Sequence, residues 1–140
     1  MLESMLKKQI VIAAPAEAVW DALTNPDKIK VYLFGTQTIS DWKKGSSIRF
    51  TGTWEGKTYE DRGTILEFEE NRKFQYTYWS SFSALPDVPE NYSLITFSLE
   101  ANGSSTGLTL EQSRFASQTA YDHSSENWDK VLAELRKLVE

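Results

Sequence analysis

Asp61 is the carboxylate best placed to do chemistry. It shares strand parity with Tyr59, Gly63 and Ile65, in a stretch that alternates at period two, and so faces the side on which an apolar core would form. An acid in such a setting orients a ligand's polar group strongly and can move a proton. Arg49 and Arg62 are the other strand charges that could serve. Arg49 lies between Ile48 and Phe50, which puts it on the outer face, paired across strands with a carboxylate. His123 is the sole histidine, with no HExxH, CxxC or paired-histidine spacing, so no metal site is expected and a helix-surface role is. Neither GxGxxG nor a P-loop occurs, and no serine sits in a nucleophile elbow. No catalytic residue and no cofactor are assigned on these grounds.

Aromatic side chains form the second candidate set. Phe50, Trp54, Phe74, Tyr76 and Tyr78 share the inner parity of neighbouring strands, where phenol hydroxyls can meet a polar ligand group and the rings fill space. Tyr59 lies on the same parity as Asp61. Trp20 and Trp128 occupy apolar helix faces and are expected in the core, with Trp128 close enough to a pocket to line it. Tyr32, Phe34 and Phe82 fall where a short helix and a long loop would meet at the mouth of such a pocket, and are expected as gates.

The elements that must position these residues are legible from periodicity. Gln9–Ile12 is β-branched and reads as a strand; Pro15 to Thr24 places Val19, Trp20 and Leu23 on one helical face. Asn25-Pro26-Asp27 stops that helix and caps a second, ending near Leu33. From Gln37 the period falls to two. A strand at Gln37–Asp41 precedes one carrying Ile48, Phe50 and Trp54, and Glu55-Gly56 turns into Lys57–Glu69. Asn71-Arg72 turns into Lys73–Trp79, and Asn102-Gly103 joins Tyr92–Ala101 to Thr106–Phe115. Ser80–Glu90 has no period and reads as a long loop of functional type. Helical period returns with Trp128, Val131, Leu132, Leu135 and Leu138, after a Thr119/Asp122 capping pair.

These elements predict an α+β fold: a curved antiparallel sheet of about seven strands gripping one long C-terminal helix, with two short helices between the first and second strands. Where sheet and helix diverge, an internal pocket is expected. A length of 140 residues fits one domain spanning 1–140. The net charge of −5 leaves no basic field for nucleic acid, and no apolar run is long enough for membrane insertion. The charged N-terminus has no signal-peptide pattern, which suggests a cytoplasmic protein. Aromatic content of 13% exceeds what a small core needs.

Four motifs together resemble a known family. They are Ala14-Pro15-x-x-x-Val19-Trp20-x-Ala22-Leu23-Thr24-x-Pro26, Asp41-Trp42-Lys43-Lys44-Gly45-Ser46, Gly63-Thr64-Ile65-Leu66-Glu67 and Trp128-x-x-Val131-Leu132-x-x-Leu135. They resemble the activator of heat-shock-protein-90 ATPase homologue-like proteins, within the START-like, birch-pollen-allergen-like helix-grip superfamily. The similarity runs from Gln9 to Val139, with one departure: Asn127 stands where the family usually has glycine before its tryptophan. The resemblance implies a hydrophobic cavity between sheet and C-terminal helix, and no family-wide catalytic residue. A small hydrophobic or amphipathic ligand is therefore the expected partner. A cyclase or dehydratase-like enzyme is the alternative, and a chaperone-interacting module a further one.

Overall fold

A computed structural model describes residues 2–140. The chain order is β1 (Leu6–Ile12), α1 (Ala16–Thr24), α2 (Pro26–Tyr32), β2 (Gln37–Ser40), β3 (Ser47–Trp54), β4 (Lys57–Glu69), β5 (Lys73–Tyr78), β6 (Ser93–Asn102), β7 (Ser105–Ser113) and α3 (Gln118–Val139). The seven strands form one antiparallel sheet in the order β1-β7-β6-β5-β4-β3-β2. The two short helices thus carry the chain from one sheet edge to the other. Over the inner face lies α3, about 33 Å long at 1.5 Å per residue. Its Val131, Leu132 and Leu135 are buried, each worth roughly 1.5–3 kcal/mol in apolar area removed from water.

Local chemistry explains the boundaries. Asn25 caps α2, its side chain accepting from the Asp27 amide at 3.0 Å, and Pro26 opens the helix as the sequence predicts. Glu55 and Gly56 both have positive φ, the backbone that a tight β3–β4 hairpin requires. Several boundaries shift from the sequence reading, and three of the differences have a visible physical reason. β1 begins at Leu6, because Leu6 is buried opposite Gln112, and the lysines after it are tolerated on an edge strand. The α3 cap is Ser117, which accepts from the Ala120 amide at 3.1 Å, so Thr119 lies inside the helix. The β6–β7 turn falls on Gly103 and Ser104, since Asn102 still pairs with Ser105.

The long strand β4 bends the sheet. Its first half pairs with β3 and its second with β5, with a register shift between Ile65 and Glu67. Gly63 is obligatory near this bend: a Cβ there would overlap the Thr77 carbonyl oxygen, a backbone atom. An isolated Arg62–Trp79 bridge continues the β4–β5 contact, after which the chain leaves the sheet through the 80–92 loop.

Candidate functional site: a polar row across the inner face

Inward positions differ from one end of the sheet to the other. At the end under α1, Trp20, Phe68, Phe74 and Phe97 interlock at ring distances of 5.1–6.3 Å, and Trp128 joins through Phe97 at 5.7 Å. This half of the expected pocket is packed with side chains. At the loop end, register sets Thr38 opposite Phe50 and Phe50 opposite Asp61, while Tyr78 stands opposite Ser93. Ser93 in turn accepts from the Gln112 side chain at 3.2 Å, and Gln112 accepts from Trp128 Nε1 at 2.8 Å. A polar row therefore crosses the inner face from β2 to α3.

Asp61 is the charged member of the row. Only 7% exposed, it accepts from the Tyr78 hydroxyl at 2.6 Å through one carboxylate oxygen. The other oxygen accepts from the Ser81 amide at 2.8 Å and the Ser81 hydroxyl at 3.1 Å. None of the ion pairs among the described residues involves it. Burying a carboxylate without a cation is costly, and these hydrogen bonds offset that cost only in part. Nearby, the Thr38 hydroxyl is buried with no hydrogen-bond partner among the described residues. Burial pushes the Tyr76 phenol well above its ordinary value of 10.0, and does the same to Tyr32, where neighbouring Tyr76 adds to the effect. Tyr78 is pushed up by burial first and by Asp61 second. All three phenols stay protonated at neutral pH and can donate.

The sequence candidates separate into three groups. Phe50, Asp61, Tyr76 and Tyr78 come together, with the Phe50 ring 5.7 Å from Tyr76 and 5.8 Å from Tyr78. Trp128 reaches the same row through Gln112. Trp54, Tyr59 and Phe82 form a lip outside it: Phe82 packs at 5.8 Å from Trp54 and 5.4 Å from Tyr59. Trp54 has the inner parity but is 58% exposed, because the β3–β4 hairpin runs past the core. The Tyr59 ring lies over Gly52, whose lack of a side chain makes room for it, and its hydroxyl shares a 2.6 Å hydrogen bond with Thr36. Tyr32 and Phe34 do not sit with the lip. Tyr32 is buried and donates to the Ala22 carbonyl at 2.9 Å, tying α2 to α1, so it is a core anchor rather than a gate. Phe34 is exposed in the turn after α2. Arg49 lies outward against Glu60 at 2.8 Å, as its parity predicts, and His123 is exposed on α3.

Sequence reasoning did not single out Thr38, Ser81, Ser93 and Gln112. Gln112 and Thr38 carried a signal, being polar residues at inward positions of alternating strands. Ser81 carried none, since it reaches Asp61 only through the fold of an aperiodic loop.

A curved antiparallel sheet wrapped on a C-terminal helix, with two short helices crossing between its edge strands, is the helix-grip architecture of the START-like superfamily. The model of the Activator of Hsp90 ATPase homolog 1-like protein family matches residues 13–140, and the chain belongs to that family. Among solved structures it is similar to ChR145 from Cytophaga hutchinsonii, at 43% identity and TM-score 0.84 over 98% of this chain and 94% of that one. MLL2253 from Mesorhizobium loti shares the fold at 24% identity and TM-score 0.79, covering 96% of each chain. So does DynU16, a protein of the dynemicin biosynthetic locus, at 14% identity and TM-score 0.78 over 97% of this chain and 47% of that one. No curated protein matches significantly.

Proposed function

We propose that this protein binds a small amphipathic molecule at the loop end of its inner face. The observation that carries the reading is Asp61: a buried carboxylate without a cation, aligned with an unpartnered hydroxyl and with the protonated phenols of Tyr76 and Tyr78. A ligand hydroxyl or amine would complete that hydrogen bonding, with its apolar body against Phe50, Tyr76 and Trp128. Entry requires the 80–92 loop to swing out, since Ser81 covers Asp61 and Phe82 closes the lip. The 52% exposure of Phe82 and the exposed Trp54 beside it give an apolar molecule a first foothold there. Titration of the protein with flavonoids, polyketide-like aromatics, isoprenoids and fatty acids, followed by amide NMR, tests the reading. Saturable shifts at Asp61, Tyr78, Ser81 and Phe82 support it, and their absence across the panel would remove it.

The Tyr78–Asp61 hydrogen bond also favours a second reading, an enzyme of cyclase or dehydratase type. The pair can pass a proton to or from a bound polyketide-like substrate. Similarity to a protein of a biosynthetic locus is in keeping with this. In that case Asp61→Asn abolishes turnover while leaving ligand affinity nearly intact; unchanged turnover would exclude it.

A further inference from the structure

The outer face of the sheet carries a cleft that the inner-face reading does not use. It is open, about 800 Å³ in volume, and lies where the 80–92 loop folds over the outer side of β4 and β5, with Thr64 and Thr77 on its floor. That volume falls within the range of small-molecule sites. Its charge runs against that of the whole chain, which is −5. Arg49, Arg62 and Arg114 all line it, against the carboxylates of Glu60 and Asp87.

The two acids are already engaged. Glu60 accepts from Arg49 at 2.8 Å through one oxygen and from Arg62 at 3.1 Å through the other, and Arg62 also reaches Asp87 at 3.3 Å. Asp87 further accepts from the Tyr92 hydroxyl. Arg114 has no carboxylate partner among the described residues; one Nη donates to the Glu90 carbonyl at 3.3 Å, and the rest of the guanidinium fork is free. Three guanidinium groups thus face two carboxylates, and the excess charge belongs to Arg114. A planar fork with several unused donors matches a carboxylate or phosphate edge. The Pro89 and Tyr92 rings line the same cleft and offer an apolar surface to the remainder of a ligand.

We propose that this cleft is a second binding site, for a small organic anion whose phosphate or carboxylate group pairs with Arg114 and whose apolar part rests on Pro89 and Tyr92. A single excess charge suits one anionic group and not a polyphosphate. The site lies on the face of β4 opposite Asp61 and shares the 80–92 loop with it.

The test follows arginine Nε–Hε and backbone amide signals of the full chain during titration with phenyl phosphate, benzoate, inorganic phosphate and benzylamine. Saturable shifts at Arg114, Thr64 and Thr77 are expected with phenyl phosphate or benzoate, and whichever binds more tightly identifies the anionic group. Benzylamine should leave them unmoved. Arg114→Gln should weaken binding about tenfold, the worth of a hydrogen bond to a charged group. Arg114→Lys should restore part of that loss, with amide dispersion confirming that both variants are folded. No saturable shift with either aromatic anion, binding of inorganic phosphate as tight as phenyl phosphate, or full affinity in Arg114→Gln would overturn the proposal.

Discussion

Asp61 and Arg62 are neighbours on β4 that point to opposite faces of the sheet, and both hold the same loop. Asp61 accepts from the Ser81 amide and hydroxyl on the inner side, while Arg62 pairs with Asp87 on the outer side and lies 5.7 Å from the Trp79 ring. The two anchors differ in environment, so they should differ in worth. Asp61→Ala leaves the Tyr78 hydroxyl buried without an acceptor, which costs about 1–3 kcal/mol. Arg62→Gln removes half-exposed ion pairs and should cost less than about 1 kcal/mol. Urea unfolding measures both, and hydrogen exchange at the Ser81 amide should accelerate strongly only in Asp61→Ala. Equal costs would show that the inner anchor is no more buried in effect than the outer one.

Gly63 packs against Thr77, close to where this loop leaves β5. Gly63→Ala pushes a methyl group into the Thr77 carbonyl, a backbone atom that cannot swing aside. A loss of about 3 kcal/mol is expected, near the upper end for overpacking. Gly107→Ala, whose Cβ would meet nothing closer than 3.8 Å, is the matched control and should cost far less. Thermal unfolding of the two variants decides the matter.

Alkaline pH should weaken the protein through its buried phenols. Tyr32, Tyr76 and Tyr78 have folded-state pKa values raised above the ordinary 10.0, each chiefly by burial. Above pH 10 the unfolded chain releases these protons while the folded one keeps them, so stability is fully present below pH 10 and falls as pH rises beyond it. Urea midpoints from pH 8 to pH 11 should be flat at first and then drop. Tyr76→Phe should make the drop shallower; an unchanged slope in that variant would mean that Tyr76 does not contribute.

Trp128 joins α3 to the polar row through one hydrogen bond. Trp128→Phe keeps most of the ring contact with Phe97 but leaves the Gln112 carbonyl oxygen without its donor. The expected cost is about 1–3 kcal/mol by urea unfolding. Adding Gln112→Leu in the same chain should recover part of it, because the buried polar group is then gone. Additive losses in the double variant would contradict the coupling.

The fold was largely legible in the sequence because one force wrote most of it. Alternation of buried and exposed residues placed β3 and β4 and turned Asp61 inward and Arg49 outward, while the 3.6-residue period located α3. What periodicity could not show depends on contacts far apart in the chain. Ser81 meets Asp61 only after an aperiodic loop folds back, and Arg114, just beyond β7, lines one cleft with Arg62 of β4 only because the sheet and the loop bring them to the same face. Trp54 shows the limit of parity: the correct face does not imply burial when the hairpin outruns the helix. The Thr119 cap failed for a smaller reason, since Ser117 was an equally good cap two residues earlier.

The central claim is that the inner face, at its polar row, is where a ligand sits. Intermolecular NOEs between the protein and the tightest-binding member of the ligand panel test it most directly. The account predicts contacts from the ligand to the ring protons of Phe50, Tyr78 and Trp128, with loss of the Ser81 amide's protection on binding. Contacts confined to Tyr92 and Thr64 on the outer face, or a Ser81 amide that stays protected in the saturated complex, would contradict it.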